Sequence, residues 1–135
     1  MVKMDFKYLG DLKIETLHEP SGSQLKSAAP VDNNGDGSSF SPTDLLATAT
    51  TTCMITLMGI HANRHGIDIS GLTASTEKHM ANQPRRVEKL KITMHIPRNL
   101  DNKSRDILWE AAINCPVAKS IHPDLKIDLQ VNYTE

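Results

Sequence analysis

Cys53 and Cys115 are the two residues of this 135-residue chain best able to do covalent chemistry. A thiolate is a nucleophile and a reductant, and two thiols within reach of each other can cycle between dithiol and disulfide. They stand 62 residues apart, which matches no zinc-ligand spacing. In a reducing compartment such a pair is more often free than bridged. Cys53 lies in an uncharged stretch, LLATATTTCMITLMGI, where a cysteine can simply be a small core hydrophobe. Cys115 precedes Pro116, a position suited to the N-cap or first turn of a short helix. There the helix terminus stabilises a thiolate, although an indifferent cap would look the same. Local physics leaves both readings open.

The remaining polar candidates say less. His61 and His65 are four apart on one predicted helix and could form a metal pair, but no third ligand accompanies them, so an exposed helix end fits as well. His122 is close to Cys115 in sequence and could tune it, or be a surface histidine. Basic residues are scattered apart from the pair Arg85–Arg86.

The elements that must position these groups can be read from periodicity. Residues 2–8 and 12–18 alternate apolar and polar residues around Leu9-Gly10-Asp11, predicting a hairpin. Residues 20–41, rich in Pro, Ser, Gly, Asn and Asp, read as a flexible surface loop, with a short strand possible at 24–27. The acidic spacing in VDNNGDGSS does not match a calcium loop, and no Glu closes it. Ser41-Pro42-Thr43-Asp44 is a strong helix start: Ser41 suits the N-cap, Pro42 the first turn, and Asp44 can reach back to the cap's N–H. The helix is predicted over 42–64 and ends at His65-Gly66. Being apolar on every side, it is expected to be buried on every side, by a curved sheet on one face and a partner subunit on another. Residues 71–80 and 86–97 read as a second antiparallel pair turning at Asn82-Gln83-Pro84, with Leu90, Ile92, Met94 and Ile96 on one face. The same alternation puts Arg86 on that inward face. A helix to about residue 113, a short helix over 117–122 and a last strand over 126–133 follow, an α+β order.

Composition narrows the function classes. A hydrophobic fraction of 39% and a charged fraction of 23% describe a globular chain, read as one domain over residues 1–135. Net charge −1 gives no electrostatic case for nucleic acid. No signal-peptide core is visible at the N-terminus, and no run is read as membrane-spanning, so a cytoplasmic location is expected.

Three segments carry a family resemblance. FSPTDLLATATTTCMITL resembles the signature of the OsmC/Ohr family of thiol peroxidases: Ser-Pro, a carboxylate, a small apolar helix, then the reactive cysteine. INCPVAKSI resembles the family's second cysteine site, and NQPRRVEKLKITMHIP a Pro-Arg turn and strand of an OsmC-like subgroup. The resemblance implies an α+β fold with a curved antiparallel sheet wrapped round a long buried central helix, in an intertwined homodimer with active sites at the interface. It implies that Cys53 attacks an organic hydroperoxide or hydrogen peroxide and that Cys115 resolves the sulfenic acid. An external dithiol reduces the disulfide, and no metal or organic cofactor takes part. A cation held by a carboxylate is expected beside the thiolate. Arg85 matches the subgroup's position for it, with Arg86 and Lys26 as alternatives. Asp44 is the candidate carboxylate. Two departures stand out: the position ten before the cysteine, Glu in well-studied members, is Thr43, and no Arg precedes Arg64. They motivate a second expectation, a non-catalytic module binding a small apolar ligand at the dimer interface. An acyl-transfer cysteine ranks below both, for want of a neighbouring base.

Overall fold

The structure, a computed structural model, describes residues 1–134. The order is β1 (Met4–Gly10), β2 (Lys13–His18), β3 (Gln24–Ala28), a 3₁₀ turn (Val31–Asn33), α1 (Pro42–His65), β4 (Thr73–Ala81), β5 (Arg86–Ile96), α2 (Asn102–Ile113), α3 (Pro116–Ser120) and β6 (Lys126–Tyr133). The α+β class and nearly every predicted boundary hold to within a few residues. The chain forms two compact units, Met1–Leu46 and the residues from Ala47 onward.

The first unit is an antiparallel sheet ordered β1-β2-β3. Left-handed backbone at Gly10, Asp11 and Leu12 makes the β1–β2 turn. Register places Met4, Phe6 and Tyr8 on one face with Ile14, Thr16 and Leu25. Within the chain that face stays open, with Phe6 69% and Tyr8 63% exposed. Asp5, Lys7, Glu15 and Lys26 form the opposite, charged face. The loop after β3 is tied down more than its composition suggests. Gly35 and Gly37 donate to the carbonyls of Pro30 and Ala29, and Lys13 pairs with Asp36 at 3.0 Å. A Cβ on Gly35 would run into the Ala29 carbonyl, so this position requires glycine.

In the second unit the order is β4-β5-β6. Leu90, Ile92, Met94 and Ile96 are fully buried while Lys91 and His95 face out. The all-antiparallel expectation fails at the last strand: β6 lies parallel to β5. The connection between them, residues 97–125, contains α2 and α3, which is long enough for the crossover that parallel neighbours require. Ile127, Leu129 and Val131 thereby extend the apolar face of β5.

Helix α1 buries one stripe, Ala47, Thr50, Met54, Met58 and Ala62, spaced three or four residues apart. Its Thr51 hydroxyl meets that of Thr76 on β4 at 2.6 Å. The rest is only partly covered within the chain, which leaves the face expected to meet a partner subunit open. Thr52, Thr56 and Ile60 are exposed. Thr52 and Thr56 donate their hydroxyls to the carbonyls of Thr48 and Thr52 at 2.7 Å each, so their polar groups are satisfied within the helix. Against the expectation that no run spans a membrane, α1 is long and apolar enough to cross one by length and composition. Its Met54–Met58 stripe is buried within the chain, and 28% of the apolar window is buried in all.

Ile92→Ala removes a fully buried side chain from the centre of β5. It is expected to cost about 2–5 kcal/mol in urea unfolding followed by circular dichroism. A loss well below 1 kcal/mol would place the core elsewhere.

Candidate functional site

The buried stripe of α1 sets the helix's rotation and with it the direction of Cys53. Cys53 lies beside that stripe, half-buried, on a line with Leu57, His61 and His65 at four-residue spacing. Its thiol comes within hydrogen-bond reach of Cys115, although 62 residues separate them. Cys115 is held by the end of α2 and the start of α3. It is the N-cap of α3, and its Sγ accepts from the Ala118 N–H at 3.4 Å. From the sequence this position could be a thiolate stabilised by the helix terminus or an indifferent cap. The structure goes against the first: burial pushes the Cys115 thiol up, the adjacent Cys53 thiol adds to the rise, and the Ala118 N–H opposes it only in part. A five-residue helix has little dipole to set against complete loss of solvent.

The supporting residues divide differently. Asp44 is a helix cap: its Oδ2 accepts from the Ser41 N–H at 2.9 Å, and Ser41 Oγ accepts from the Asp44 N–H at 3.1 Å. This is a reciprocal capping box. Thr43 Oγ1 lies 3.2 Å from Ser41 Oγ. Arg85 is exposed in the β4–β5 turn, which contains a cis Gln83–Pro84 bond. Arg86 is not on the inward face. A bulge pairs Met80 with Val87 and His79 with Lys89, so Val87 turns inward instead. The Arg86 guanidinium donates to the carbonyls of Pro84 at 3.1 Å and Asn82 at 3.4 Å. Lys26 sits exposed on the charged face of the first sheet. Among the described residues no group of three or more His, Cys, Asp or Glu could hold a metal. His61 and His65 instead stack, centroids 6.4 Å apart. His122 Nδ1 accepts from the Asp124 N–H at 3.0 Å.

Two features escaped the reading of the sequence. Lys78, half-buried, shares the inward register of β4 with Thr76, and a lysine in phase with core positions is the signal that could have found it. The second is a groove of about 460 Å³ between α1 and α2. Leu57, Ile107 and Ala111 line it along with His61, His65, Asp106, Glu110 and Asn114. The four-residue spacing Cys53, Leu57, His61, His65 pointed to it. What the spacing could not show was that α2 would lie opposite.

Comparison with known proteins agrees with this geometry. A crystal structure from Psychrobacter arcticus 273-4, of a protein named for osmotic stress induction and a detoxification response, is 44% identical. It superposes with a TM-score of 0.93 over 98% of this chain and 96% of that one. The family described as OsmC-like protein matches residues 35–130. The chain belongs to the OsmC-like family. Its fold is also that of the organic hydroperoxide resistance protein OhrB of Bacillus subtilis, at TM-score 0.71 and 14% identity, covering 98% of each chain. An organic hydroperoxide resistance protein OsmC from Legionella pneumophila has TM-score 0.73 at 21% identity, covering 98% of this chain and 96% of that one. No curated protein matches the chain.

In this OsmC-like site the two thiols differ in exposure. Iodoacetamide at pH 8 is expected to label Cys53 at least about tenfold faster than Cys115, read by peptide mass spectrometry. The raised pKa of Cys115 also has a sign in stability. The folded protein holds its proton where the unfolded chain releases it, so the contribution is complete below about pH 9 and lost as pH climbs through the folded value. Cys115→Ala is therefore expected to flatten the fall in unfolding free energy between pH 9 and higher pH. An unchanged slope would contradict the burial account.

Proposed function

We propose that this OsmC-like protein is a two-cysteine peroxidase that reduces organic hydroperoxides or hydrogen peroxide in oxidative-stress defence. The observation that carries the reading is the meeting of a half-exposed Cys53 thiol with a buried, proton-retaining Cys115 thiol. In this reading the Cys53 thiolate attacks one peroxide oxygen. The O–O bond breaks, and the other oxygen leaves as alkoxide or hydroxide and takes a proton to become alcohol or water. Cys53 is left as a sulfenic acid. Cys115 then attacks the Cys53 sulfur, water departs with the Cys115 proton, and a disulfide closes without large movement. An external dithiol returns both residues to thiols.

Arg85 is the proposed cation for the thiolate, and Asp44, beyond its cap role, is the proposed catalytic carboxylate. We further propose a cytoplasmic homodimer. Two open surfaces support the dimer: the Phe6–Tyr8 face of the first sheet, and the uncharged exposed side of α1 around Thr52, Thr56 and Ile60. Such surfaces are rarely left to water on a stable monomer. The names of the Legionella and Bacillus proteins, which share the fold, agree with hydroperoxide as the substrate class.

Steady-state peroxide consumption tests the reading. Cys53→Ser is expected to fall to the uncatalysed rate. Cys115→Ser should consume one equivalent, stop, and leave a sulfenic acid that dimedone traps on Cys53. Arg85→Ala should lose about tenfold at neutral pH, with part restored by Arg85→Lys. Parent-like turnover by Cys53→Ser would sink the proposal.

A further inference from the structure

We infer that the Cys53–Cys115 pair is a two-coordinate site for a soft monovalent cation, copper(I), held between the two sulfurs as a bis-thiolate. Only the contact between the thiols is required, not peroxide turnover. Cys53 and Cys115 meet within hydrogen-bond reach inside one chain, with Cys115 fully buried and Cys53 half-buried. Two thiols held together are a preformed chelate for a thiophilic metal. Among the described residues no third His, Cys, Asp or Glu joins them in a group that could hold an ion. Burial of Cys115 also keeps water from completing a larger shell on its side. Zinc, which takes four ligands in a closed site, is poorly served by such a pair. Copper(I), a filled-shell ion that accepts two sulfurs in line, is served well.

The surroundings suit the complex. Cys115 Sγ accepts from the Ala118 N–H at 3.4 Å, a bond that a thiolate strengthens and that offsets part of the single negative charge of a bis-thiolate. The half-open side of Cys53 gives the ion its entry. Binding involves no oxidation or reduction. Each thiol gives up its proton to water, two S–Cu bonds form, and copper stays in the +1 state. The proton on Cys115 is one that burial favours, so the ion must displace it and affinity rises with pH. Bound copper occupies the sulfurs that an alkylating agent would meet, so the two exclude each other. His61 and His65, further along α1, are not drawn into the site: their rings stack with centroids 6.4 Å apart.

The test is an oxygen-free titration of the reduced full chain with the coloured copper(I) complex of bathocuproine disulfonate, with ascorbate in place of any thiol reductant. The parent should withdraw about one ion per chain, and X-ray absorption at the copper edge should show two sulfur neighbours and no nitrogen or oxygen. Affinity should rise about tenfold or more per pH unit between about pH 6 and 8. Zinc(II) at equal concentration should leave the copper in place. Cys53→Ser and Cys115→Ser should each bind at least about hundredfold more weakly. Cys53→Ser, at a half-buried position, keeps the test open if Cys115→Ser does not fold. His61→Ala with His65→Ala should keep the parent affinity. In the copper-loaded parent, iodoacetamide should label Cys53 at least about tenfold more slowly than in the copper-free protein. Parent-like affinity in Cys53→Ser, undiminished labelling of the loaded parent, a third sulfur or a histidine nitrogen in the copper shell, or a parent unable to draw copper from the chelator would overturn the assignment. None of these outcomes bears on peroxide turnover, which is measured separately.

Discussion

The site depends on the angle at which one helix is set. Nearly every residue of α1 between Leu45 and Ala62 is uncharged, so hydrophobicity alone could bury several different faces. The Met54–Met58 stripe and the Thr51–Thr76 hydroxyl pair on β4 select one rotation. At that rotation Cys53 faces Cys115 and stands in line with the groove. A turn of the helix by one residue, about 100°, would separate the thiols while leaving the helix just as apolar. A hydroxyl pair in an otherwise apolar contact is well suited to fixing such a choice, because its loss leaves two polar groups without partners.

Burial then gives the two cysteines different surroundings. Both are free thiols of the same intrinsic chemistry. One is half open to solvent, and the other is sealed beneath the α2–α3 junction with its proton favoured. A thiol that keeps its proton is a poor first nucleophile, and its contact with Cys53 places it where a sulfenic acid on that residue would form. The proposed division of labour thus follows from solvent access.

Much of this was legible in the sequence because the signals were local. The Ser41–Asp44 cap, the alternation of Leu90 to Ile96 and the Pro116 helix start each depend on neighbours within a few residues, and each appears where it was read. The misreadings came from longer-range effects. Arg86 was assigned by strand parity, and the bulge at His79/Met80 shifted the phase. The parallel setting of β6 is a property of the crossover, which leaves no trace in the strand's own alternation. The direction of the Cys115 shift depended on how deeply the α2–α3 junction would be buried, and no cap motif encodes that. The groove needed two helices to be brought together.

The most direct measurement is a free-thiol count on the pure protein before and after one equivalent of cumene hydroperoxide, with hydrogen peroxide in parallel and the product identified by mass. The account predicts rapid loss of both thiols and an intramolecular Cys53–Cys115 disulfide. Thiols that stay free, or oxidation that stops at Cys53 with Cys115 intact, would contradict it.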